Sequence, residues 1–378
     1  MKMIFVALVA ISVFFTTFVS CASNTQPHDQ VMVDNWSIKP QLPIVTDNKT
    51  IPAVQNSVIT QNSTQVDRVE AAQESQVLLL RIDFSSSPNL YGKYDLDTVS
   101  RDIWVMNADG SKAVNLTKGS ANAMSADWSP DKSKIVFDSV DSYLQGSPIC
   151  RISTMNANGS NVKRISPGAS SRHFPAWSPD GSKIANSWYF VGKGTPEDLT
   201  DKTFELFTFN PDGAEDGHVK FSRYTGLQLL PRWFPDSRRI AYLDSETGNF
   251  EIYSGDIITG DTSKYNIESN SNGHNNYMPW FSLSPDATKI VYSHDLSRDY
   301  WLSGRELFLF DVNSGQSIQL TRNEYADDNP CFSPDGKKIV FASFGDTKEN
   351  SGMFIMDIDG TSLKQISSQY GDMPMKWR

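Results

Sequence analysis

The chain carries 34 Lys and Arg against 44 Asp and Glu over 378 residues, a net charge of −10 with a pI near 5.0. That balance excludes the basic footprint phosphate binding requires, so nucleic acid is set aside as a partner. The composition otherwise agrees with an exported, soluble body.

The chain opens with Met1-Lys2-Met3, an apolar run from Ile4 to Val19, and Ser20-Cys21. A cationic start, an apolar stretch and a small residue at the cut describe an export signal over residues 1–20. The run is short for a membrane span, which needs about 20 apolar residues. Phe18-Val19-Ser20-Cys21 resembles a bacterial lipoprotein processing box, with Phe18 where Leu is usual. That resemblance implies lipidation of Cys21 and, from Ala22 after it, the periplasmic side of the outer membrane in a Gram-negative cell. The plainer reading is an ordinary signal peptide. Residues 21–75 are rich in Ser, Thr, Asn, Gln, Val and Pro without sustained period, a composition that reads as a disordered, flexible tether.

From residue 76 the chain repeats. Trp128-Ser129-Pro130-Asp131, Trp177-Ser178-Pro179-Asp180, Trp233-Phe234-Pro235-Asp236, Leu283-Ser284-Pro285-Asp286 and Phe332-Ser333-Pro334-Asp335 recur with their prolines 49, 56, 50 and 49 residues apart. Proline presets the first corner of a tight turn and Asp bonds its own backbone. The next residue is Gly181 or Gly336, which takes positive φ cheaply, and is replaced by Lys132, Ser237 and Ala287 in the other three copies. β-Branched strands such as Lys134-Ile135-Val136-Phe137 follow each turn. A second element, as in Ile103-Trp104-Val105-Met106-Asn107-Ala108-Asp109-Gly110, occurs six times against five of the first. Each unit thus supplies four antiparallel strands.

The mismatch of five and six has a use. Met373-Pro374-Met375-Lys376-Trp377 matches an innermost strand whose partner is missing, and that partner stands at the other end as Gln76-Val77-Leu78-Leu79-Leu80-Arg81-Ile82. Pairing them closes a ring and removes a free sheet edge. The expectation is an all-β, six-bladed β-propeller over residues 76–378 with terminal strand closure.

These paired motifs resemble the repeat of TolB-type six-bladed β-propellers across residues 76–378. The resemblance implies the fold and a periplasmic scaffold role. The same repeat also occurs in enzyme lids and polysaccharide lyases, so it does not by itself imply a function. The α/β domain that precedes the propeller in TolB is expected to be missing, since about 55 residues separate Cys21 from the first strand.

The tight turns fall on one face, and longer connections, Ser139 to Ser147, Ser187 to Thr203, Ser293 to Gly304 and Ser343 to Ser351, project from the other. Two candidate sites lie there. The residue two before each inner-strand proline is expected to ring the central channel: His173, Leu229, Tyr277, Asp328 and Asp372, with Met124 in the unit without proline. An imidazole, a phenol and two carboxylates suit calcium, a sugar or a peptide carbonyl, and the bland alternative is a solvated polar rim. Trp188-Tyr189 and Tyr300-Trp301 are either partner contacts on those connections or caps of the blade edges. Cys150 and Cys331 fall in nonadjacent units and read as small buried residues without a disulfide.

Neither a Gly-x-Ser-x-Gly elbow nor a His-Glu-x-x-His pair occurs. The preferred reading is a monomeric, noncatalytic, membrane-tethered propeller without cofactor that binds an envelope protein or peptide. The rival is a metal-dependent polysaccharide lyase using the channel, for which only His173, His218, His274 and His294 lie outside the tether.

Overall fold

The structure, a computed structural model, describes residues 75–83, 100–144, 147–166, 171–191, 202–221, 228–245, 250–267, 279–296 and 304–378. The signal segment and tether lie outside the described residues except for Ser75. The elements among the described residues are strands, twenty-four in number and without a helix, and they form a β-propeller. The first sheet takes β1 (Gln76–Asp83), β2 (Ser100–Asn107) and β3 (Val114–Asn115). The second runs β4 (Ala123–Trp128), β5 (Lys134–Leu144), β6 (Ser147–Asn156) and β7 (Lys163–Arg164). The third runs β8 (Ser171–Trp177), β9 (Ile184–Val191), β10 (Lys202–Phe209) and β11 (Glu215–His218). The fourth runs β12 (Leu229–Trp233), β13 (Arg239–Ser245), β14 (Phe250–Asp256) and β15 (Thr262–Lys264).

An eight-stranded sheet follows. It holds β16 (Phe281–Leu283), β17 (Lys289–Asp295), β18 (Arg305–Asp311) and β19 (Gln316–Gln319), then β20 (Ala326–Phe332), β21 (Lys338–Phe344), β22 (Ser351–Asp357) and β23 (Lys364–Ser367). Its two halves are antiparallel four-strand runs joined by one parallel bridge, Arg305 to Ala326.

The last strand, β24 (Asp372–Trp377), pairs with β1 and completes the first sheet in the order β24-β1-β2-β3. The register runs from Val77 opposite Trp377 to Arg81 opposite Asp372, as the terminal-closure expectation requires. Gln76 and Arg378 exchange two backbone hydrogen bonds, at 3.1 and 2.9 Å. The Arg378 guanidinium lies 3.5 Å over the Trp128 ring and donates to the Lys132 carbonyl at 2.7 Å. Residues three hundred positions apart thus form one seam. Leu78, Leu80, Ile103 and Met373 of the first sheet share one apolar cluster with Ala126 and Trp128 of the second sheet and Ala326 and Phe344 of the eight-stranded sheet.

Each tight turn is built from its own side chains. Ser129 Oγ donates to Asp131 Oδ1 at 2.6 Å and accepts from the Lys134 amide at 2.8 Å, and the arrangement recurs around Ser178, Ser284 and Ser333. The residue after the Asp takes positive φ in all five copies: Lys132 62°, Gly181 76°, Ser237 52°, Ala287 55° and Gly336 70°.

The Asn-Ala-Asp-Gly turn has a different reason for its glycine. Gly110 stands at φ 90°, and a Cβ there would run into the carbonyl oxygen of Ile366 on β23. The same docking repeats at Gly159 on Leu116, Gly213 on Ile165 and Gly360 on Leu320, so the turn of one unit rests on the outer edge of the unit before it.

Candidate functional site

The inner strands share one irregularity. Register breaks between Ala123 and Ser125 on β4, His173 and Ala176 on β8, Leu229 and Arg232 on β12, and Asp328 and Cys331 on β20. Three of these contain a proline, which has no N–H to donate to the ladder, so the strand bulges there. The preceding residues, Phe174, Leu230 and Asn329, stand at φ 54°, 51° and 53°. The bulge thus sets the direction of His173, Leu229 and Asp328.

What those residues meet differs from blade to blade. His173 is buried, with Nε2 at 2.8 Å from Ser171 Oγ and Nδ1 at 3.8 Å from Asp138 Oδ2. Burial pushes the imidazole down to about 3 and the Asp138 carboxyl up to about 6. Asp138 is held by Ser125, whose amide and Oγ both donate to Oδ1 at 2.7 and 2.8 Å, and by the Phe174 amide at 3.2 Å. Asp328 accepts from Arg305 Nη1 at 3.2 Å. Asp372 takes a two-pronged bond from Arg81, at 2.5 and 2.8 Å, and a third from Ser367 Oγ at 2.6 Å. Leu229 joins an apolar cluster with Phe174, Leu243 and Trp280. Tyr277 lies outside the described residues.

The three described polar members are 3%, 2% and 0% exposed; Asp328 and Asp372 each meet an arginine of a neighbouring strand, and His173 meets Ser171 of its own strand and Asp138 of another sheet. Sequence reasoning missed the partners. A signal existed for Asp138: the repeat places Ser187, Leu243, Ser293 and Ala342 at the same step after the turn, so a carboxylate there stands out.

The first aromatic pair is placed differently from the expectation that it rides on a connection. β9 runs to Val191 and β10 starts at Lys202, so Trp188 and Tyr189 are strand residues rather than loop residues. Cross-strand pairing with Phe204 and Glu205 extends the hairpin past the point where β-branched residues give out. Tyr189 is buried in the cluster around Phe174. Trp188, half-buried, stands edge-on to Phe207 at 4.5 Å, with the Arg172 guanidinium 5.1 Å over its ring. The Ser139–Ser147 connection is likewise shorter than expected, since β5 reaches Leu144. Tyr300, Trp301 and Cys21 lie outside the described residues.

Cys150 and Cys331 are free and buried. Cys150 is not isolated: it, Asp138 and His173 place one donor atom each within 4.8 Å of one another, the set among the described residues with the makings of a metal centre.

Comparison with known proteins agrees with this architecture. A TolB homolog of Chlorobium chlorochromatii is 26% identical over 139 residues, 37% of this chain and 28% of that protein. The Tol-Pal system protein TolB of Bordetella pertussis is 26% identical over 142 residues, 37% of this chain and 30% of that protein. The matches thus span about three-tenths of the length of these relatives. The crystal structure of TolB from Acinetobacter baumannii superposes with a TM-score of 0.57 at 17% identity, covering 80% of this chain and 66% of that one, which speaks to the fold alone. The profile of the TolB beta propeller domain matches residues 187–375, half of the chain, and the protein belongs to that family.

Proposed function

We propose that the protein is a noncatalytic propeller scaffold that is exported, tethered to a membrane through Cys21 and docks a protein or peptide of the cell envelope. The observation that carries this reading is membership of the TolB beta propeller domain family, whose relatives include a protein named for the Tol-Pal system. The tether of residues 21–75 sets the reach of the propeller from the membrane.

The body is read as six blades, the eight-stranded sheet counting as two. Support comes from the single bridge between its halves and from the turn of Gly110 resting on Ile366, which links first unit to last. The end of the inner strands carrying His173, Asp328 and Asp372 is assigned to the partner. There the bulges interrupt the ladder and the Arg81 side chain remains 21% exposed beside Asp372. Peptide carbonyls and carboxylates are the groups such an end suits.

Crosslinking in intact envelopes followed by capture of the full chain tests the role. A specific set of envelope proteins, distinct from that captured by an unrelated tethered protein, is expected, and identical sets would overturn it. Cys21→Ser is expected to move the protein from the membrane to the soluble fraction, because acyl chains supply about 0.8 kcal/mol per buried methylene. A wild type found wholly in the soluble fraction would remove the anchor from the reading.

A further inference from the structure

We propose that Asp138, Cys150 and His173 form a buried site for a divalent transition ion, zinc above all, between the β4–β7 and β8–β11 sheets. The placement comes from the pairing. Cys150 sits opposite Val140 on β5, so Asp138, two residues earlier, is its diagonal neighbour on the same face of the sheet. His173 enters from β8 of the next sheet, turned by the bulge before Pro175. All three side chains are buried and their donor atoms lie within 4.8 Å of one another.

The surrounding hydrogen bonds suit a metallated histidine. A ligating imidazole uses one ring nitrogen for the ion and donates from the other to a fixed acceptor. With Nδ1 on the ion, Nε2–H donates to Ser171 Oγ at 2.8 Å. That oxygen already accepts from the Cys150 amide at 2.8 Å, and its own proton has the Pro148 carbonyl 3.4 Å away. Every donor and acceptor in the chain is then used, and the same serine orients two of the three ligands.

On the other side the Ser125 amide and hydroxyl hold Asp138 Oδ1, while Oδ2 accepts from the Phe174 amide at 3.2 Å and faces His173 Nδ1 across 3.8 Å with its other lone pair. An ion about 2.1 Å from each atom spans that gap at an angle somewhat wider than tetrahedral. One thiolate, one imidazole and one carboxylate form a set suited to zinc and its neighbours, and the sulfur disfavours calcium and magnesium. Burial, with the Asp138 carboxylate beside it, holds the Cys150 thiol well above its ordinary value, so an ion has to displace its proton. Binding releases the thiol proton, and the two anionic ligands balance the charge of the ion. The fourth position falls to a small ligand such as water. An ion here ties one sheet to the next.

The test uses the full chain stripped by a chelator and reloaded with zinc or cobalt chloride. Wild type is expected to retain one zinc per chain and to show a thiolate-to-cobalt charge-transfer band, lost in Cys150→Ser and kept in Cys331→Ser. Ser171→Ala, which touches no ion, is expected to weaken zinc binding about 10–100-fold through loss of the histidine's orienting partner. Because Cys150→Ser removes a buried group, X-ray absorption of zinc-loaded wild type supplies a check without a variant. One sulfur at about 2.3 Å among nitrogen and oxygen ligands is expected. No retained zinc, an all-nitrogen-and-oxygen shell, or an undiminished cobalt band in Cys150→Ser would overturn the assignment.

Discussion

Asp372 and Asp328 occupy the same step of the repeat, two residues before an inner-strand proline, yet their charges are met in different ways. Asp372 faces its register partner Arg81 within the first sheet and receives two charge-assisted bonds from it. Asp328 reaches Arg305 on β18, in the other half of the eight-stranded sheet, through one bond at 3.2 Å. Beside it Asp327 has no such cation. Asn323 Nδ2 donates to it at 2.8 Å, and burial, with Glu306 nearby, pushes its carboxyl up to about 6. The contrast shows that the repeat specifies where a polar group enters the interior, while the neighbouring strand decides which partner meets it there. At the seam, where the two chain ends meet, the neutralising residue comes from the other end of the sequence.

Breaking the seam is expected to have the largest effect. Deleting Asp372–Arg378 strips β1 of its partner and bares an inner edge, so the shortened chain is expected to aggregate and to lose its cooperative melt. Light scattering and calorimetry report this, and an unchanged monomer with an unchanged Tm would contradict it. Next comes Asp372→Ala, which leaves Arg81 facing an empty position. Removing one member of a buried pair costs about 3–5 kcal/mol, read as a shift of the urea midpoint.

The Asp327 side is sharpened by pH. Below its ordinary value of 3.8 the carboxyl is protonated in both states. Between about 4 and 6 the unfolded chain gives up the proton first, so stability falls as pH rises through that window, by about 3 kcal/mol in full. Asp327→Asn is expected to remove its own share of this slope, leaving the shares of Asp138 and Glu306, which burial shifts the same way, and of His173, which burial shifts in the opposing sense. Urea unfolding at about pH 4 and about pH 7 compares wild type with variant, and equal slopes would refute the assignment. The smallest effect is expected of Arg378→Ala, which loses the contact over Trp128 and the bond to Lys132 but exposes no new strand edge. It should cost about 1–2 kcal/mol by thermal melting and leave the protein monomeric.

The sequence by itself determined the repeat, its turns and its closure. Pro-Asp followed by a positive-φ residue is a local turn, so Gly181 and Gly336 were legible as its left-handed step from the residues alone, and the structure puts Lys132, Ser237 and Ala287 in the same conformation. The pairing of Pro374–Trp377 with Val77–Ile82 was legible because an incomplete unit at each end left one strand short. Tertiary structure decided what each bulged residue meets. Arg81 and Asp372 are 291 positions apart, and His173 finds Asp138 and Cys150 on another sheet. It also carried Trp188 and Tyr189 into β9, where residues of strand-favouring type pair with β10. Repeat patterns encode the backbone path of one unit. The contacts between units depend on side chains that the repeat leaves free to vary, and only the closed ring brings them together.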